Sequence, residues 1–156
     1  MKDKIILIED WWDGPISGYA YYNGELCRFE CDYPTFNGEP EQIYYVWLIT
    51  DEILKMALLG FENFLYWRDR HNADVLHIRH YSRFRNTLSP EELAVKYPDC
   101  TSSELANMET DYQNDRCIKE FLSGKEKLSV TAKFYGNADH SILYPEAYVE
   151  WTVIHE

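Results

Sequence analysis

A chain of 156 residues that is 46% hydrophobic and 16% aromatic can bury one core without help from metal or disulfides. Its 27 acidic and 15 basic side chains leave a formal charge of −12, which excludes a nucleic-acid binder, because phosphate neutralisation needs clustered Lys and Arg. An acidic exterior instead keeps a domain dispersed in water and draws in a basic protein partner.

The opening, MKDKIILIEDWWDG, carries a single four-residue apolar run. That is too short for a signal peptide or a membrane span, so a cytoplasmic protein with no membrane contact is expected. Lys4 to Ile8 reads as a short strand. Gly18 to Tyr22 and Glu25 to Tyr33 flank Asn23-Gly24, the dipeptide that suits the two positive-φ positions of a type I′ hairpin turn. A two-residue turn sets Tyr22 opposite Glu25 and Ala20 opposite Cys27. Alternation then places Ala20, Cys27, Phe29 and Cys31 toward the core, with Tyr19, Tyr21, Leu26 and Arg28 on the other face. Gln42 to Ile49 is apolar on both faces, as a central strand is.

From Asp51 the period changes. Leu54, Leu58, Phe61 and Leu65 recur at helical spacing, and Asp51 and Glu52 occupy the first turn, where the helix dipole favours acids. A second helix opens at Ser89-Pro90-Glu91-Glu92, with Ser89 as cap and Pro98 as stop. A third starts near Thr101 with Glu104 three residues on, and runs through Leu105, Met108, Tyr112, Ile118 and Leu122 to Gly124. Period two returns in Leu128 to Tyr135 and in Ala147 to His155, two strands whose natural pairing brings Lys133 near Glu150. With neither a repeat nor a flexible linker, residues 1–156 read as one α+β domain. The expected architecture is a mainly antiparallel sheet of five to six strands with two to three helices packed on one face, in the order strands, helices, strands.

Candidate chemistry falls in two places. Asp13-Gly14-Pro15 is a turn that follows Trp11 and Trp12, and two adjacent rings cannot share one face of a strand. One of them is expected at a neighbouring edge or on the surface, so Trp11, Trp12, Tyr19 and Tyr21 are the candidate partner-binding anchors. The second place is a basic island: Arg68, Arg70 and His71, then His77, Arg79, His80, Arg83 and Arg85. It either pairs with the chain's surplus carboxylates or holds a phosphate or carboxylate ligand, with Arg79 and Arg83 as the anion clamp and His77 or His80 moving a proton.

No nucleophile or nucleotide-binding motif is present, which leans away from an enzyme. Cys27, Cys31, Cys100 and Cys117 make no CxxC pair and have no His at zinc-finger spacing, so reduced structural thiols are expected, with no metal and no cofactor.

The Asp13-Gly14-Pro15 turn with Gly18, the Asn23-Gly24 hairpin leading to Phe29, the helix carrying Glu62 and Trp67, and the closing strand around Trp151 together resemble a family of small uncharacterised bacterial proteins. That resemblance implies a fold and no activity, and the chain departs from it in the Arg68 to Arg85 island. In composition the chain is also similar in kind to the immunity proteins that protect bacteria from their own toxins. The functional expectation is a non-enzymatic domain that binds a basic protein, the alternatives being a phosphate- or carboxylate-binding enzyme or sensor built on the island and a structural homodimer.

Overall fold

The structure is a computed structural model that describes residues 1–11, 14–32, 42–71, 90–96 and 98–154. Its strands are β1 (Asp3–Trp11), β2 (Pro15–Tyr22), β3 (Glu25–Cys31), β4 (Ile43–Leu48), β5 (Leu128–Gly136), β6 (Ile142–Leu143) and β7 (Ala147–Val153). Between β4 and β5 lie α1 (Asp51–His71), α2 (Pro90–Lys96) and α3 (Ser102–Ser123). The α+β class and the strands, helices, strands order are as expected.

The open sheet is not. Pairing runs β2-β3-β4-β5-β7-β1, and β1 also pairs with β2, so six antiparallel strands close into a barrel. β1 closes it by bonding on both edges: β2 lies along one, while the other takes β7 at Asp3 and Lys4 and then β6 at Leu7 and Ile8. Closure satisfies the strand edges that an open sheet leaves exposed.

The hairpin expectation holds residue for residue. Tyr22 pairs with Glu25 and Ala20 with Cys27, and Asn23 and Gly24 take φ values of 49° and 85°. The buried Asp3 carboxylate accepts from both turn amides, Asn23 N and Gly24 N, each at 3.1 Å. The turn is thereby tied to the start of β1. Lys133 pairs with Glu150, also as expected.

Two apolar cores result. Ala20, Cys27, Phe29, Cys31, Tyr44 and Val46 belong to the barrel interior, where Phe29 lies 5.7 Å from the Trp151 ring and 6.1 Å from those of Tyr44 and Phe134. Such tilted and edge-on aromatic contacts add to simple burial. The second core lies on the outer wall, where Ile6, Leu7 and Tyr19 meet Ile53, Ala57, Phe61 and Phe64 of α1 and Ile118 of α3.

β1 serves both cores through an irregular register. Ile5 and Ile8 pack inside and Trp11 rests against them, whereas Ile6 and Leu7 both pack outside, and the register with β2 shifts between Ile5 and Leu7 and again after Ile8. A bulge of this kind puts two successive residues on one side of the sheet. The apolar run Ile5–Ile8 therefore has no simple alternation.

α1 buries Ile53, Ala57, Phe61 and Phe64, while Leu54, Leu58 and Leu65 flank that stripe half-buried. The packed face is rotated from the expected one by about a residue. Pro90 opens α2 as expected, and its Ser89 cap lies outside the described residues. The α3 cap is the reciprocal box: Thr101 Oγ1 accepts from Glu104 N at 3.1 Å, and Glu104 Oε1 accepts from Thr101 N at 2.8 Å. Gly124 does close α3, but at φ −95°, so it needs no left-handed backbone there.

Candidate functional site

Of the four expected aromatic anchors, the three among the described residues pack against the protein's own cores. Trp11 is half-buried against the barrel interior, and its indole N–H donates to the Ala138 carbonyl at 3.0 Å. Tyr19 is 1% exposed, held between the wall and the helices, and Tyr21 is half-buried against the same cluster. Rings that fill the protein's own cores are not available to a partner, which removes Tyr19 as an anchor. Trp12 lies outside the described residues.

So do His77, Arg79, His80, Arg83 and Arg85. Arg68 and Arg70 are on the last turns of α1, with side chains outside the description.

Among the described residues, two polar constellations stand out. The first is buried. Arg28 projects from the outer side of β3, where its Nη1 donates to Glu9 Oε1 at 2.6 Å, and its Nη2 and Nε donate to Glu30 Oε1 at 2.7 and 3.1 Å. The guanidinium carbon also lies 5.2 Å from the Tyr19 ring centroid. Burial by itself lowers the Arg28 pKa, but Glu9 and, to a lesser degree, Tyr19 and Glu30 outweigh it and hold the pKa well above its usual value. A buried guanidinium held by three charge-assisted hydrogen bonds to two carboxylates locks β1 to β3.

The barrel interior is equally inert. The Tyr44 hydroxyl donates to the Pro15 carbonyl, and burial, helped by Cys31, raises the phenol far above its usual range. Burial likewise pushes the Cys27 and Cys31 thiols up to about 12, the reverse of what a reactive cysteine needs. Cys100 and Cys117 are free thiols. Among the described residues no three His, Cys, Asp or Glu side chains converge as a metal site.

The second constellation is open to solvent. Leu59, Glu62 and Asn63 step i, i+3, i+4 along α1, and Asn107, Thr110 and Asp111 step likewise along α3; together they line a groove of 280 Å³. Leu59 is 51% exposed at its rim, Glu62 is exposed, and Asp111 is 3% exposed at its floor. The Asn63 amide Nδ2 donates to the Met108 sulfur at 3.0 Å, and Thr110 Oγ1 donates to the Ala106 carbonyl at 3.2 Å.

Sequence reasoning placed Glu62 on its helix without a role and passed over Asp111. The signal for Asp111 was available: it falls on the α3 stripe Met108, Asp111, Ile118, Leu122, where spacing predicts an apolar side chain. The Arg28 cluster was not foreseeable, since Glu9 faces outward only because β1 is bulged.

No protein-family model matches the chain, and no curated protein or solved structure is significantly similar to it.

Proposed function

We propose that this protein is a non-enzymatic binding domain for a basic protein, of the kind that immunity proteins exemplify when they mask a cationic effector. One observation carries the reading: a formal charge of −12 on a chain whose polar groove, between α1 and α3, is lined by carboxylates and amides. The barrel supports it indirectly, because its interior is filled by the chain's own rings and serves as a frame. Exposed Leu59, Tyr66 at 48% and Tyr112 at 37% supply apolar contact on the same two helices. Long-range attraction brings a basic partner in, and aromatic and aliphatic contacts then hold it.

The test is capture on the immobilised protein at low salt and at roughly physiological salt, where the screening length is about 8 Å, followed by titration with the purified partner. A stoichiometric basic protein whose affinity falls with salt supports the reading. Binding that is insensitive to salt, or a preference for an acidic partner, contradicts it.

A homodimer is the second reading, favoured by one end of the barrel. Leu48, Leu128, Val153 and Ile154 are 37–40% exposed there, on the adjoining ends of β4, β5 and β7. Sedimentation would separate the two, since a dimer doubles the 18.6 kDa of the chain.

A further inference from the structure

We propose that the outer wall of the barrel binds an internal water molecule at Ser17, beside the Glu9–Arg28–Glu30 bridge, whether or not the protein engages a partner. The bridge has to cross a strand. Glu9 belongs to β1, Arg28 and Glu30 belong to β3, and β2 lies between them and pairs with both. On β2, Ile16 and Ala20 pack inside the barrel and Tyr19 packs outside, so alternation turns Ser17 outward with Tyr19. Register sets Tyr19 opposite Arg28 and Ser17 opposite Glu30. The Tyr19 ring fills its flank of the bridge, with its centroid 5.2 Å from the guanidinium carbon. On the other flank Ser17 offers only a hydroxymethyl group.

The hydroxyl itself points to a ligand. Ser17 is 4% exposed, and its Oγ meets no hydrogen-bond partner among the described residues. A buried hydroxyl left so costs free energy until something small satisfies it. Acceptors for such a molecule are close by. Arg28 takes Oε1 of Glu9 and Oε1 of Glu30, and the Oε2 atom of each carboxylate is a further acceptor. A water in this corner accepts the Ser17 hydrogen and donates one hydrogen to each carboxylate, which makes the roughly three bonds typical of a buried water.

Other occupants fit less well. A sodium or potassium ion would answer the carboxylates, but it would stand beside the guanidinium and could not accept the hydroxyl hydrogen. With Glu9 5% and Arg28 6% exposed, the corner is closed to a larger ligand. The water completes a buried polar network that is costly when only partly satisfied.

The experiment compares the full chain with Ser17→Ala by magnetic relaxation dispersion of water, which counts the waters a protein holds for longer than it tumbles, and by thermal melting. Ser17→Ala is expected to lose one long-lived water and to melt a few degrees lower, whereas deleting a dry, unpaired hydroxyl would leave the melting temperature level or raise it. A measurement on the native chain guards against a misfolded variant: the Ser17 amide should show a cross-relaxation peak to a long-lived water. A count of long-lived waters that is unchanged in Ser17→Ala overturns the site whatever the melting temperature does, and so does a native Ser17 amide without that peak. A native melting temperature higher in sodium or potassium chloride than in choline chloride at equal ionic strength, with the difference lost in Ser17→Ala, overturns water in favour of a cation.

Discussion

The barrel interior and the seam between α1 and α3 are built from opposite materials. Inside the barrel Phe29, Tyr44, Phe134 and Trp151 touch one another, and the Tyr44 hydroxyl donates to a backbone carbonyl. At the helical seam the buried stripe of α3 contains Glu104 and Asp111 beside Ile118. Glu104 is accounted for by the cap it makes with Thr101. Asp111 is not part of a cap; it lies on the floor of a groove that faces water. A frame is filled by apolar rings, whereas a groove open to water is lined by polar side chains. On the proposed reading, the barrel supplies the stability and the helices the recognition.

The sharpest way to break the contrast is at Gly18. A Cβ there collides with the Leu7 carbonyl oxygen and comes within 2.9 Å of the Phe29 ring, so Gly18→Ala should prevent β1 from pairing with β2. Circular dichroism and thermal melting are expected to show loss of the cooperative transition; a melting temperature within a few degrees of the native value would mean that the barrel is not closed at this seam.

Phe29→Ala removes the hub of the interior rings and should cost about 3–5 kcal/mol in urea unfolding, with capture of a basic partner by the surviving fold unchanged. Weaker capture of that partner would mean that the frame and the surface are not separate.

A gentler probe is alkali. Burial raises the Cys27 thiol from its ordinary value near 9 to about 12. Because the folded pKa lies above the unfolded one, the stabilisation is complete below pH 9 and drains away as pH rises toward 12. Denaturant unfolding across that window should show stability falling, and Cys27→Ala should flatten part of the fall. Identical slopes for the two proteins would place the thiol in water.

The smallest effect is expected at the cap. Thr101→Ala deletes the acceptor for Glu104 N and should cost about 1 kcal/mol, accompanied by faster hydrogen exchange in the first turn of α3 alone. Exchange that quickened in the barrel strands as well would couple the two regions.

Local signals were legible in the sequence where the physics is local. Asn23-Gly24 fixed the β2–β3 register because that turn admits few alternatives, and Thr101 with Glu104 announced the start of α3 because a capping box needs only four residues. Closure of the barrel was not legible. It depends on β1 meeting both β2 and β7, and alternation looks the same in an open sheet and in a closed one. The bulges in β1 hid its faces, so Glu9 gave no sign that it would meet Arg28. The burial of Tyr19 was hidden for a related reason: an exposed ring and a ring beneath a helix have the same sequence, and Tyr19 proved to be the second. Asp111 was legible and overlooked, as an acid on an apolar stripe.

The most direct test of the central claim is hydrogen exchange of the full chain with and without a purified basic partner. The account predicts new protection confined to residues 59–66 of α1 and 107–112 of α3, with the barrel strands unchanged. Protection centred on Leu48, Leu128 and Val153 at the barrel end, with the helices untouched, would contradict it.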